Sequence, residues 1–213
     1  MHPALKTYLH EKIIPIYQTF DPAHRQDHVA KVIHNSLEIA KDYDVNEDMV
    51  YVVACYHDIG IKFGRDNHHI TGGLFLFDDQ VLGQYFSDEE RIVMKEAIED
   101  HRASRELPPR TIYGKIIAEA DRDISPEIIM QRTVQFGFKH YPLLTKDEHV
   151  LRAYHHILDK YGPDGYLKLW LETKKNRQGL LQIHALLANK PMMIQSLEIL
   201  YENEKKNNQL HEK

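Results

Sequence analysis

The sequence predicts an all-α protein, a helical bundle with additional C-terminal helices, and three observations carry that prediction. Apolar residues recur at helical spacing almost throughout, as in Val29, Val32, Ile33, Leu37 and Ile39-Ala40. No stretch sustains apolar–polar alternation, and no Asn-Gly pair offers a hairpin turn. Helix start signals also repeat. Ser87-Asp88-Glu89-Glu90 and Thr145-Lys146-Asp147-Glu148 have the capping-box pattern, while Asp21-Pro22 and Ser125-Pro126 set a cap before a proline.

Taken in order, these signals place a first helix at roughly 3–19 and a second at roughly 25–43. Asn46 opens a third at roughly 46–59, with Gly60 as its terminator. IKFGRDNHH reads as a loop, and a fourth helix from about 67 carries Ile70, Leu74 and Phe77. Its Gly72-Gly73 pair signals a close backbone approach. Ser87 starts a helix through about 102, and Pro108-Pro109 separates it from one at about 109–121. After the Ser125 start come helices at about 146–160, 163–189 and 191–205, then a polar tail, KKNNQLHEK, expected to fray. No linker or repeat interrupts the chain. The expectation is a single all-α domain over 1–213, with a motif-bearing core at about 20–125 and a helical extension at about 126–205.

Composition narrows the function. The 213 residues are 42% hydrophobic and 28% charged, with a net charge of −5, the profile of a soluble globular chain. An acidic balance excludes a general nucleic-acid or anionic-membrane binder. No apolar run is long enough for a bilayer, and the N-terminus has no signal-peptide core. Cys55 is the sole cysteine, so no intrachain disulfide forms and the expected compartment is the cytoplasm. The outlying count is 15 histidines.

Several of those histidines fall near predicted helix ends together with carboxylates. His28 opens the second helix, His57-Asp58 ends the third, and His68-His69 opens the fourth. His101 lies near the end of the Ser87 helix, and Asp121 ends the helix that follows. Helix ends can converge on one place while the helix bodies pack as core. Imidazole and carboxylate suit Mn, Fe, Ni, Co or Zn, and one cysteine cannot build a thiolate site. Adjacent His and Asp would let the carboxylate bridge two metals while the imidazole binds one.

The ordered set His28 in QDHVAKVIHNSLEIA, His57-Asp58 in ACYHDIGI and Asp121 in IIAEADRDI resembles the HD-domain metal-dependent phosphohydrolase superfamily. The resemblance spans roughly residues 20–125. It implies the HD helical bundle and one divalent transition metal held by His28, His57, Asp58 and Asp121. Some branches bind a second metal, for which His69 in HHITG and His101 in EDHRAS are the matching residues and His68 the substitute for His69; without that metal, His69 and His101 would contact the phosphate. The Gly-Tyr-Pro signature of the cyclic-dinucleotide branch is absent, so that substrate is not carried over. The implied reaction is hydrolysis of a nucleotide or other small phosphoester by hydroxide generated at the metal. Asp58 sits at its centre, with Lys62 and Arg65 neutralising phosphate charge.

Other residues have more ordinary readings. Arg25, Arg102, Arg105 and Arg122 compete for the phosphate role, and Glu99 or Asp100 would orient a ligand or donate a proton. His24, His34, His155, His156 and His184 read as structural or solvated. Cys55, Trp170 and the aromatics of FGFKHYPLL and GYLKLW read as core. Two competing functions remain: an HD-related di-iron oxygenase, and a noncatalytic metal or nucleotide sensor. A homodimer is the base-rate assembly.

Overall fold

A computed structural model describes residues 1–21, 24–102, 106–122 and 124–211. Among them are ten α-helices and no strand, so the fold is all-α as the hydrophobic period requires. No helix among the described residues is long and apolar enough to cross a membrane. The chain divides into two compact units, Met1–Arg122 and Asp123–Lys213. Each has its own apolar cluster, so the expected core and extension are separate centres of burial.

The first unit begins with α1 (Pro3–Tyr8), which continues as a π-turn over Leu9–Ile13 and a 3-10 turn over Ile14–Thr19. The expected helix at 3–19 is therefore helical throughout but changes its winding twice. Pro15 is the cause: it lacks an N–H and its ring crowds the carbonyl four residues back, so the winding loosens before it and tightens after it. Leu5, Leu9, Ile13 and Tyr17 still share one buried face.

The unit continues with α2 (Gln26–Ala40), α3 (Glu47–Tyr56), α4 (His68–Phe77), α5 (Asp88–Asp100) and α6 (Ile112–Asp121). α3 is the central element. Met49, Val50 and the run Val52 to Tyr56 are all buried, as expected of a helix that is apolar nearly all round. α2 and α5 pack against it, and α6 packs against α2, α3 and α5. Asp79 fastens the N-terminal segment to α3 by accepting hydrogen bonds from the Tyr8 and Tyr56 hydroxyls, each at 2.6 Å.

α3 ends at Tyr56, three residues before the expected end. The chain then turns through a 3-10 segment, Ile59–Phe63, closed by Gly64 at φ 124°. Gly64 alone among the described residues has positive φ, so Gly60 is not the left-handed helix terminator the sequence suggested. On α4, Ile70 and Leu74 face outward, 41% and 46% exposed, while Gly72, Gly73 and Leu76 are buried.

The second unit comprises α7 (Pro126–His140), α8 (Lys146–Tyr161), α9 (Lys174–Ala188) and α10 (Lys190–His211). The expected helix at 163–189 begins only at Lys174. Residues 162–167 instead fold back on the end of α8, where the Tyr166 and Leu167 amides donate to the Asp159 and Lys160 carbonyls. Thr173 then caps α9 by accepting from the Asn176 amide at 3.2 Å. α10 runs on through 205–211, so the tail expected to fray is helical over its described part. Phe138 stacks on His149 and Tyr201 as core; Phe136 of the same run is half exposed, which the core reading of that stretch did not foresee.

Both predicted capping boxes form, at Ser87–Glu90 and Thr145–Glu148. Ser87→Ala removes the acceptor for the Glu90 amide and should lower the stability of the first unit by about 1 kcal/mol. Urea denaturation should show the lower midpoint with an unchanged slope.

Candidate metal centre

Five helix ends of the first unit deliver six side chains to one place. His28 is in the first turn of α2, His57 and Asp58 follow α3, and His68 is the first residue of α4. His101 follows α5, and Asp121 is the last residue of α6. The Asp58 carboxylate is the hub. Its Oδ2 lies 3.3 Å from His57 Nε2 and 3.6 Å from His28 Nε2. His28 Nε2 is in turn 3.2 Å from His57 Nε2 and 3.2 Å from Asp121 Oδ1. The other oxygen, Oδ1, lies 3.3 Å from His68 Nε2 and 3.5 Å from His101 Nε2.

The ring orientations are set locally. His57 Nδ1 is 2.8 Å from the Ala54 carbonyl, His68 Nδ1 is 2.7 Å from that of Arg65, and His101 Nδ1 is 2.6 Å from that of Ile98. A carbonyl only accepts, so each Nδ1 carries the hydrogen and each neutral ring turns its Nε2 lone pair inward. Lone pairs and carboxylate oxygens thus face one another, which requires positive charge between them. Ligands about 2.1 Å from a metal ion sit roughly 3.0–3.4 Å apart at tetrahedral or octahedral angles. The separations here, 3.2–3.6 Å, lie at or just above that spacing, and the donor set is imidazole and carboxylate throughout. The residues present therefore fit a divalent metal on each side of Asp58. His28, His57, Asp58 and Asp121 form one side, and Asp58, His68 and His101 the other.

Without metal, protons supply that positive charge. Burial opposes ionisation of Asp58, but His57, His101 and His28 outweigh it and hold the carboxyl well below its usual range. Asp121 is lowered likewise, against burial, chiefly by His28. Burial works against the His28 cation, yet Asp121 and Asp58 push its pKa up to about 9. His101 moves up for the same reason, with Asp58 its main partner. His57, Asp58 and His101 are buried, whereas His28 and His68 retain 18% and 13% side-chain exposure and mark the open side.

The structure departs from expectation at His69. Successive residues on a helix point about 100° apart, so with α4 starting at His68 it is His68 that meets Asp58. His69 turns aside, its Nδ1 buried without a partner and its pKa pushed down to about 4 by burial and Arg102. The basic candidates also differ in availability. Lys62 is exposed, its ammonium 5.8 Å over the Phe63 ring. Arg65 is 66% exposed and bonds Asp21 at 3.1 Å. Arg102 donates to the Asp66 carbonyl, Arg122 is buried against Glu119 at 2.7 Å, and Arg25 is exposed. Pro22 and Arg105 lie outside the described residues. Of the acids before His101, Asp100 is fully buried and accepts from the Arg110 amide and guanidinium, and Glu99 is paired with Lys95 and Arg110. Both thus anchor the end of α5 that presents His101.

Two further residues position the site without a sequence signal. Tyr17 donates its hydroxyl to the Cys55 carbonyl at 3.0 Å and accepts from the Asp58 amide at 3.2 Å, clamping the backbone on both sides of His57. Asn35 donates to the Ala120 carbonyl at 3.0 Å, fixing Asp121 beside α2. Tyr17 continues the apolar stripe of Leu9 and Ile13 and so reads as plain core.

Tyr17→Phe should leave the buried Asp58 amide unsatisfied and lower stability by about 1–3 kcal/mol, measured by thermal unfolding of the metal-free protein. Protons and metal compete for the same nitrogens. Because the His28 pKa is raised to about 9, its ring is protonated below that pH, and metal binding must displace the proton. Apparent metal affinity should therefore rise from pH 6 to pH 8 in a chelator competition titration.

Residues 25–124 match the family model described as "HD domain". A solved structure of a predicted HD superfamily hydrolase from an uncultured Thermotogales bacterium matches with a TM-score of 0.51 at 22% identity, over 73% of this chain and 88% of that one. Likeness at that identity speaks for a shared fold. No match was found among curated proteins. The all-α bundle, the matched stretch and the clustered His and Asp residues agree in likening residues 25–124 to an HD domain.

Proposed function

We propose that the protein is a metal-dependent phosphohydrolase acting on a small phosphoester, with a nucleotide as the favoured substrate class. The observation that carries this reading is the division of one carboxylate between two ligand groups. Asp58 Oδ2 faces His28 and His57, while Oδ1 faces His68 and His101. In that arrangement His28, His57, Asp58 and Asp121 would hold one divalent metal, and Asp58, His68 and His101 would hold a second. Divalent metal in such a site lowers the pKa of coordinated water to roughly 7 and stabilises charge on a phosphoryl oxygen.

The chain's own residues supply the rest. The carbonyls of Ala54, Arg65 and Ile98 fix which nitrogen each ring presents. Lys62 and Arg65 supply positive charge on the segment that follows Asp58. The Arg65–Asp21 pair is exposed and contributes only about 0–1 kcal/mol, so a phosphate can displace it. The same donor set also suits a pair of iron ions, which keeps oxidation by an HD-related centre as the second reading.

Asp58→Ala should abolish both metal binding and hydrolysis across a panel of nucleoside mono- and triphosphates, cyclic nucleotides and simple phosphomonoesters. Retained hydrolysis in that variant would sink the mechanism. Lys62→Ala and Arg65→Ala should raise KM with metal stoichiometry unchanged. A coloured iron-loaded protein that consumes O2 and hydrolyses nothing on the panel would favour the oxidative reading instead.

A further inference from the structure

We infer that the backbone contact between Gly60 and the first turns of α4 sets the second metal half-site, so that Gly60 is a positioning residue for His68; this rests on the two-metal reading above. Gly60 lies two residues after Asp58, inside the 3-10 turn Ile59–Phe63. A Cβ added there would overlap the His68 carbonyl oxygen and come within 2.6 Å of the Gly72 amide nitrogen and Thr71 Oγ1. All three atoms belong to α4. The contact is reciprocal, since a Cβ on Gly72 would meet the Gly60 nitrogen at 3.3 Å. Thr71 Oγ1 donates across the same junction to the Gly60 carbonyl at 3.3 Å.

The backbone of a candidate ligand thus packs directly on the turn that carries the bridging carboxylate. Gly60 has negative φ, so its lack of a side chain serves proximity and not an unusual conformation. Any side chain at 60 must displace the start of α4, and with it the 3.3 Å approach of His68 Nε2 to Asp58 Oδ1. The other half-site does not use α4. His28 and Asp121 come from α2 and α6, and His57 follows α3; Tyr17 clamps the backbone around His57 and Asn35 fixes that beside Asp121.

The consequence is a selective loss. Gly60→Ala should retain the first metal equivalent at wild-type affinity and weaken the second by about ten- to a hundredfold, the range seen when a ligand's support is disturbed. The measurement is calorimetric titration of metal-free protein with Mn(II) alone, with the electron paramagnetic resonance signal of a coupled Mn(II) pair as second readout. His68→Ala gives the benchmark for loss of the second equivalent. Gly60→Ala that binds both equivalents as wild type does, or that folds but loses both, overturns the inference. If Gly60→Ala loses its cooperative unfolding transition, Gly72→Ala decides, because its Cβ contacts are milder. A second equivalent weakened severalfold with the first intact supports the inference, and unchanged binding overturns it. Wild-type protein that takes only one equivalent overturns the two-metal reading itself and this inference with it, a result distinct from a normal wild type with an unaffected Gly60→Ala.

Discussion

The structure of the first unit is organised around an electrostatic problem. Four imidazole nitrogens and the Asp121 carboxylate surround the Asp58 carboxylate at 3.2–3.6 Å from their neighbours. Acceptors held that close repel unless positive charge lies between them, and repulsion at these distances in a poorly hydrated site is large. A flexible scaffold would relieve it by letting the groups drift apart. This one does not, because four of the groups are pinned from behind. Carbonyls hold three rings, Tyr17 holds the Asp58 amide, and the Arg110–Asp100 contact holds the end that carries His101.

The rigidity comes from α3. Its near-complete burial leaves the helix no freedom to rotate or slide, since any shift opens voids against several neighbours at once. His57 and Asp58 emerge at its end with their positions fixed by packing. The other ligands sit at the ends of helices that pack on α3 or on one another. Placing ligands at helix ends also leaves the helix bodies free to be core, so the demands of burial and of metal chemistry fall on different residues.

That separation explains what could be read from the sequence. Local signals were legible: the capping boxes at Ser87 and Thr145 depend on residues three apart, and both form. The convergence of His28, His57, Asp58, His101 and Asp121 was legible because their order along the chain carries the family pattern. The choice between His68 and His69 was not. It depends on the rotational phase of α4, which is set by where that helix starts against Gly60. Gly60 itself was misread for a related reason. A glycine after an apolar helix serves equally as a left-handed cap or as a site of close approach, and only the partner surface, His68 to Gly72, decides between them. Tyr17 was hidden because its ring obeys the apolar stripe while its hydroxyl does separate work. In the second unit, the fold-back after Gly162 interrupts a pattern that reads as one long helix.

The charge balance of the site shows why such a cluster is tolerated before metal arrives. Asp58 and Asp121 remain ionised, and the raised pKa values of His28 and His101 favour their protonated forms. Positive charge on those rings offsets the two carboxylates, as a buried cluster requires. A divalent ion on either side of Asp58 would meet one of those rings and bring positive charge to the same carboxylate. The framework already holds these groups at ligand-like spacing, so it would not need to rearrange to accept metal. The protons that neutralise the empty site are the same ones that compete with the metal, so metal-free stability and metal affinity are tied to one set of nitrogens.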